Sequence, residues 1–244
     1  MKRLLLTVSY DGTAYHGWQV QPNGITVQEV IQNALSEMLQ KKTSVTGCSR
    51  TDAGVHAKEF CFHIDCDKEI PYTAFTKGLS SRLPDDISVI DCIEVSDDFH
   101  ARYSAKGKTY AYYILNNSTK DPFLSRYSWK IDQPLDLDKM NEFCKNIVGT
   151  HDFYAFSSSG RSVEDTVRTI TECYVEKQGD MIVLKVSANG FLYNMVRIIV
   201  GTAVEVSQGR INPDDFPEIL KEKRRECAGM TAPAKALFLE KVIY

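Results

Sequence analysis

The sequence predicts an α+β fold of mostly antiparallel sheet, built as two halves that meet near residue 100. Three observations predict it. Several stretches alternate apolar and polar residues with the two-residue period of half-buried strands. These stretches are joined by tight turns or by single amphipathic helices, not by the repeating strand–helix units of a parallel sheet. No short repeat and no low-complexity linker interrupts the 244 residues. The halves, 1–100 and 101–244, are therefore expected to share a continuous sheet, and a chain of this length buries a sizeable core.

In order along the chain, Arg3 to Tyr10 reads as a strand with Leu4, Leu6, Val8 and Tyr10 on one face. Thr26-Val27-Gln28-Glu29 has the form of a capping box that opens a helix. Val27, Val30, Ile31, Ala34, Leu35, Met38 and Leu39 then recur at helical spacing. A short strand near Ser44 to Gly47 precedes a longer one from Lys58 to Ile64, with Phe60, Phe62 and Ile64 on one face. Thr73 to Ser81 reads as a short helix and Ile87 to Val95 as a strand. In the second half, Lys108 to Leu115 is a strand and Leu137 to Val148 a helix closed by Gly149. Thr166 to Glu176 and Met181 to Ala188 form a hairpin around Gln178-Gly179-Asp180. A long helix is expected from Gly190 to Val206 and a last strand from Ala236 to Ile243.

Hydrophobic residues at 43% and charged residues at 25% fit an ordinary globular protein. The N-terminus runs from strand-like Leu4-Leu5-Leu6-Thr7-Val8 straight into polar residues, without the pattern of a secretion signal. The longest apolar stretch, Phe191 to Val206, carries Asn194, Arg197 and Glu205 and reads as a buried helix, not a membrane span. Seven cysteines without a Cys-x-x-Cys pair suggest reduced thiols and a cytoplasmic location. Cys61 and His63 share a strand face with Cys66 nearby, but small buried thiols explain them better than a metal does, and no metal is expected. The net charge is −3, unevenly spread. His100 to Lys130 holds six basic residues against one acid, whereas Asp85 to Asp98 holds six acids and no Lys or Arg. This fits either a basic cleft with an acidic back or two unrelated solvated stretches.

The most informative segment is Gly47 to Ala57, Gly-Cys-Ser-Arg-Thr-Asp-Ala-Gly-Val-His-Ala. It sets Asp52 beside Arg50 among small residues that permit tight turns. Asp52 is either a turn residue bonded to its own backbone or a reactive carboxylate on the floor of a cleft. Cys48 and His56 flank it, but a Cys/His nucleophile is disfavoured because nothing activates Cys48 that would not activate Asp52 better.

Arg-Thr-Asp-Ala-Gly-Val-His resembles the signature of the TruA family of tRNA pseudouridine synthases. Four further segments resemble that family in the same order: Tyr10-Asp11-Gly12-Thr13 through Gln19, Phe99-His100-Ala101-Arg102 through Tyr110, Asn189-Gly190-Phe191-Leu192 through Gly201, and Ala232-Pro233-Ala234. Five ordered matches are far more specific than any one of them. The resemblance implies two RRM-like halves forming one extended, mostly antiparallel sheet, with helices on one side and a central RNA-binding cleft. It implies an isomerase that converts uridine to pseudouridine at positions 38, 39 and/or 40 of the tRNA anticodon stem-loop, acting as a homodimer. It makes Asp52 the catalytic carboxylate and Arg197 its partner.

Pseudouridine formation moves uracil's bond to ribose from N1 to C5. It involves no redox change and no group donor, so no cofactor is expected. Asp52 can attack the anomeric carbon or remove a proton from the neighbouring ribose carbon, and the sequence does not separate these routes. On the expected helix, Arg197 lies off the apolar stripe with Tyr193, Asn194 and Gly201 at three- or four-residue spacing and Gly190 two turns away. Glycine there leaves room for a loop to press on the helix, and a surface arginine is the competing reading. Tyr110 is a candidate to stack on the freed base, or else a cross-strand packing residue like Tyr112 and Tyr113. Arg50 is a candidate to fill the place of the extruded nucleotide or clamp its phosphate, or else part of a structural ion pair. Lys106, Lys108 and Arg126 are candidate phosphate contacts, and the run from Lys221 to Arg225 reads equally as an exposed helix end.

Three departures stand out: Ser49 where the family has glycine, Asn194 where it commonly has histidine, and Lys235-Ala236-Leu237 where it continues with glycine. None is expected to touch Asp52, Tyr110 or Arg197, so they bear on the range of tRNAs. A non-catalytic RNA-binding or chaperone module and a glycosidase that releases free base are the alternatives.

Overall fold

The computed structural model describes residues 1–160 and 163–244. Its elements run β1 (Lys2–Tyr10), α1 (Val27–Leu39), β2 (Thr46–Gly47), β3 (His56–Cys66), β4 (Ile87–Val95), β5 (Gly107–Leu115), β6 (Trp129–Lys130), α2 (Leu137–Asn146), β7 (Gly149–Asp152), β8 (Val167–Gln178), β9 (Met181–Ala188), α3 (Met195–Ser207), α4 (Phe216–Glu222) and β10 (Leu237–Ile243). Pairing is mostly antiparallel and the fold is α+β. The chain forms two compact units, Met1–Lys106 with Phe238–Tyr244, and Gly107–Leu237. The chain thus returns to the first unit for its last strand.

In the first unit, β1 lies antiparallel between β4 and β3, with Leu6 opposite Phe62 on one side and Cys92 on the other. β10 joins β3 in parallel, Phe238 opposite His56 and Leu239 opposite Ala57. Leu6, Val8, Phe60, Phe62 and Ile64 are fully or almost fully buried, each contributing about 1.5–3 kcal/mol of transfer free energy. α1 begins where the Thr26 hydroxyl accepts the Glu29 N–H (3.4 Å) and buries Val27, Ile31, Ala34, Leu35 and Leu39. The other face of β3 is covered as well. The Ala101 N–H donates to Nδ1 of His63 (3.1 Å), and the Tyr244 hydroxyl donates to the Ala101 carbonyl (2.9 Å).

The regular helix expected from Thr73 to Ser81 is instead a π-helical turn, Ala74–Leu79, followed by a 3-10 turn, Ser80–Arg82. The segment is too short to nucleate a helix cheaply, and Thr76 and Gly78 are poor helix formers. Phe75 and Leu79, four residues apart and fully buried, still anchor it.

In the second unit the sheet runs β5-β9-β8-β7, with β6 added to β5 in parallel. The β8–β9 hairpin turns at Gly179, whose φ is +63°. α2 starts where Asp136 accepts the Lys139 N–H (3.1 Å) and ends at Asn146, short of the expected Val148. Gly149 has φ of +121° and opens strand β7. The long helix starts at Met195 rather than Gly190, because Asn194 sits in the left-handed region (φ 62°), which a continuing helix excludes. α3 is buried on nearly every side, with only Arg197 and Glu205 partly exposed. Phe216 of α4 joins Phe143, Phe153 and Phe156 in an aromatic cluster. Among the described residues no helix is long and apolar enough to cross a membrane.

Candidate active site

The Asp52 loop is held in the first unit by the segment after β1. The backbone N–H of Trp18 donates to the Thr51 carbonyl (3.1 Å), that of Gly54 to the Tyr15 carbonyl (3.3 Å), and that of Val55 back to the Asp52 carbonyl (3.1 Å). Two glycines make this approach possible. A Cβ on Gly12 would lie 2.0 Å from the Val55 carbonyl oxygen, and one on Gly17 would lie 2.4 Å from that of Thr51. Gly17 also has φ of +83°, a conformation that side-chain-bearing residues rarely adopt. Below the loop, the Tyr10 hydroxyl meets Thr51 Oγ1 at 2.9 Å in a buried pair. Trp18 stacks on Phe60 with ring centroids 3.9 Å apart. The Gly12 N–H donates to Nδ1 of His56 (3.0 Å), a ring that is 1% exposed and stacked on Phe238. The main chain is thus pinned from Thr51 to Val55. The Asp52 side chain is half-buried and Arg50 exposed.

In the second unit, Arg197 lies in the first turn of α3 and is held by a strap, residues 228–233. Its Nε donates to the Ala232 carbonyl (2.7 Å), and the Ala232 N–H returns a bond to the Arg197 carbonyl (3.1 Å). Its Nη1 donates to Oδ1 of Asn194 (2.8 Å), whose amide in turn donates to Ser158 Oγ (2.9 Å). The strap is fixed by Arg225, which donates to the carbonyls of Ala228 (3.2 Å) and Gly229 (2.8 Å) and to Thr231 Oγ1 (2.9 Å). The Gly229 N–H donates to Thr202 Oγ1 and the Met230 N–H to Glu205 Oε1, both at 2.9 Å. Burial pulls the Arg225 guanidinium below its usual pKa. Gly201 admits the strap, since a Cβ there would lie 1.8 Å from the Met230 carbonyl oxygen. The segment that presses on this helix at Gly201 is therefore the strap, through Gly229 and Met230. Gly190 does not serve that purpose, being outside the helix with only the Arg168 side chain nearby at 3.6 Å.

Tyr110, Tyr112 and Lys108 share one face of β5 by strand alternation. Tyr112 is fully buried and donates to the Pro233 carbonyl (2.8 Å). Burial pushes its phenol well above the usual range, with the Arg197 charge pulling the other way. Tyr110, 6% exposed, meets Phe191 edge-on at 5.1 Å, and Lys108 is also buried. Lys106 and Arg126 are exposed. In the basic run from Lys221, at the end of α4, to Arg225 beyond it, Arg225 is committed to the strap, while Lys221, Lys223 and Arg224 pair with Glu218, Asp152 and Glu222.

One expectation is corrected here. Asn194 does touch Arg197, because as the residue before the first turn of α3 it stands three positions from the guanidinium and accepts from it. Sequence reasoning also passed over Gly12, Gly17 and Tyr10 as supports of the Asp52 loop, and Arg225 as the support of Arg197. The glycines were inside a recognised segment, but only the folded chain shows what they approach.

A family model described as tRNA pseudouridine synthase matches residues 6–104 and 143–244, which include the Asp52 loop and the strap. The chain is 46% identical over 244 residues to the tRNA pseudouridine synthase A of Thermoanaerobacter sp. (strain X514), with 100% of both chains covered. It is 43% identical over 244 residues to the tRNA pseudouridine synthase A 2 of Clostridium perfringens (strain 13 / Type A), again with 100% of both covered. Among solved structures it is similar to a chain in the crystal structure of a Cbf5-Nop10-Gar1 complex, at 12% identity and a TM-score of 0.42. That match covers 97% of this chain and 48% of the other, so this chain spans about half its length. The chain belongs to the tRNA pseudouridine synthase family. It is an isomerase of uridine in tRNA.

Proposed function

We propose that Asp52 is the carboxylate that carries the isomerisation, with Arg197 as its guanidinium partner, at positions 38, 39 and/or 40 of the tRNA anticodon stem-loop. One observation carries the assignment to Asp52: the backbone is pinned on both sides of it, by glycines at 12 and 17 and by the buried Tyr10–Thr51 pair. A carboxylate that must meet one ribose carbon gains most from a loop that does not move, since a misplacement of about 1 Å can cost roughly 100-fold in rate. Arg197 is suited to hold a carboxylate ionised, because its Nε and one Nη are already oriented by Ala232 and Asn194.

The chemistry has three demands. Asp52 attacks C1′ to give an ester or removes the C2′ proton, and in either route the N1–C1′ bond breaks and uracil leaves as a delocalised anion. The freed base is held against Tyr110 and turns. C5 then bonds to C1′, with the Asp52 carboxylate leaving from the ester or, in the other route, the proton returning from Asp52 to C2′, and C5 loses its own proton, for which the Tyr110 hydroxyl is the proposed acceptor. Arg50, exposed two residues before Asp52, takes the place of the extruded nucleotide or binds its phosphate. Lys106 and Arg126 contact phosphates, and Lys108 accompanies Tyr110 on its strand face. The enzyme works as a homodimer in the cytoplasm; sedimentation at micromolar concentration tests the first and fractionation the second.

The deciding experiment incubates the protein with unmodified tRNA transcripts and maps pseudouridine by carbodiimide-stop sequencing. Stops are expected at one or more of positions 38 to 40. Asp52→Ala should yield none while binding tRNA within about tenfold, or ~1.4 kcal/mol. Full turnover by Asp52→Ala overturns the assignment, and free uracil as product replaces isomerase by glycosidase.

A further inference from the structure

The segment from Phe99 to Lys106 carries an aromatic ring that the chemistry above does not use. Tyr103 is 76% exposed. A single exposed aromatic needs no explanation, but this one sits on a turn that is tightly fixed. The Ser104 N–H donates to the His100 carbonyl (2.8 Å), and the His100 N–H donates to Ser104 Oγ (3.0 Å). Nδ1 of His100 accepts from both Arg102 (3.1 Å) and Tyr103 (3.4 Å). The same turn is anchored inward, because the Ala101 N–H donates to His63 and its carbonyl accepts from Tyr244.

The surroundings of the ring give its chemistry. The His100 ring lies 4.4 Å from it, tilted by 37°, and the Arg102 guanidinium stands 5.7 Å from its centroid. Phe99 to Lys106 contains Arg102 and Lys106 and no acid. A rigid, mostly bare aromatic with a guanidinium 5.7 Å from its centroid matches what an unstacked nucleotide requires: a π-face for the base and positive charge for its phosphate. An apolar protein partner would need a wider apolar surround than the neighbouring Arg102 and His100 leave.

We propose that Tyr103, with Arg102, forms a stacking platform for an unpaired base of the bound tRNA, separate from the uridine being isomerised. The platform rests on the reading of this protein as a tRNA enzyme and extends it to a second nucleotide. Because the turn is already ordered, stacking costs little further conformational entropy.

The test uses stem-loop RNA carrying 2-aminopurine at each loop position in turn, with the wild-type protein and Tyr103→Leu, Tyr103→Phe and Asp52→Ala. At one position the wild-type, Tyr103→Phe and Asp52→Ala proteins should quench the fluorescence, and Tyr103→Leu should not. Tyr103→Leu should also bind unmodified tRNA about tenfold more weakly with an unchanged melting temperature. Equal quenching and equal affinity in Tyr103→Leu overturn the platform. If Tyr103→Leu loses binding while Asp52→Ala still makes pseudouridine, the platform stands and the catalytic assignment falls. If the wild-type protein makes pseudouridine and Tyr103→Leu binds like it, the reverse holds.

Discussion

The Asp52 loop and the Arg197 strap solve the same problem, fixing a charged group, by different physics. Asp52 is a short side chain, so its position is set almost wholly by its own backbone. That backbone is fixed by close contact, with Gly12 and Gly17 letting carbonyl oxygens come nearer than any Cβ would allow. Arg197 is long and flexible, so fixing its backbone is not enough. It needs acceptors along its length, and it finds them in the Ala232 carbonyl at Nε and the Asn194 carboxamide at Nη1. The first region is built by steric exclusion and the second by hydrogen bonds, and the two should fail differently.

The largest effects are expected where exclusion is removed. Gly17→Ala forces both a strained φ, worth about 1 kcal/mol, and a displacement of the Thr51 carbonyl that it would meet at 2.4 Å. Gly12→Ala meets the Val55 carbonyl at 2.0 Å without an unusual φ. Each should reduce pseudouridine formation by at least about 100-fold. In the second unit Gly201→Ala, at 1.8 Å from the Met230 carbonyl, should dislodge the strap, whereas Gly190→Ala has room and should be silent. Initial rates on one tRNA transcript, beside melting curves, measure all four. Near-normal rates in Gly12→Ala and Gly17→Ala would mean that the loop adapts and that exclusion is not what aims Asp52.

A smaller effect is expected at Asn194, where hydrogen bonding should dominate. Asn194→Gly keeps the left-handed backbone at φ 62° but removes the acceptor for Arg197 and the donor to Ser158. It should lower kcat about tenfold, one charge-assisted hydrogen bond, with KM little changed. Asn194→Ala loses the same bonds and adds backbone strain, so it should also lower the melting temperature. Equal kcat in Asn194→Gly and the wild type would leave Ala232 as the sufficient support of the guanidinium.

Much of this arrangement was legible in the sequence, and the exceptions have physical causes. The strands β1, β3, β8 and β9 and helix α1 announce themselves because burial acts on one face and leaves a period. β6 and β7 are too short to show one, at two and four residues. α3 looked longer because the apolar residues continue upstream through Phe191 and Leu192, and nothing in that pattern reveals that Asn194 breaks the helix. The 3-10 turn Pro213–Asp215 that leads into α4 did carry a signal, the capping residues Asn212 and Asp215 around Pro213. Asn194 was within view, three residues from Arg197 at helical spacing, so its contact followed from a geometry already drawn. The cradle did not follow. Gly12 and Gly17 lie far from Asp52 in sequence, and a glycine shows what it approaches only in the folded chain.

The smallest effect separates the two units by pH. The first unit buries two imidazoles, His56 and His63, whereas the one histidine of the second unit, His151, is not buried. Burial, with the nearby Arg3 and His100, lowers the His63 pKa from its ordinary 6.5 to about 4. A group whose folded pKa is depressed binds fewer protons in the folded state between those values. Its contribution is therefore intact above pH 6.5 and lost as the pH falls toward 4. The protonated ring would also lose the Nδ1 lone pair that accepts the Ala101 N–H. The first unit should accordingly lose ~1 kcal/mol between pH 7 and pH 4.5, and the second should not lose it. Amide exchange in β3, compared with β8 and β9 at both pH values, reads the two units separately. His63→Asn, which keeps an acceptor but does not titrate, should flatten the dependence in β3, and an unchanged slope there would assign the acid sensitivity to another group.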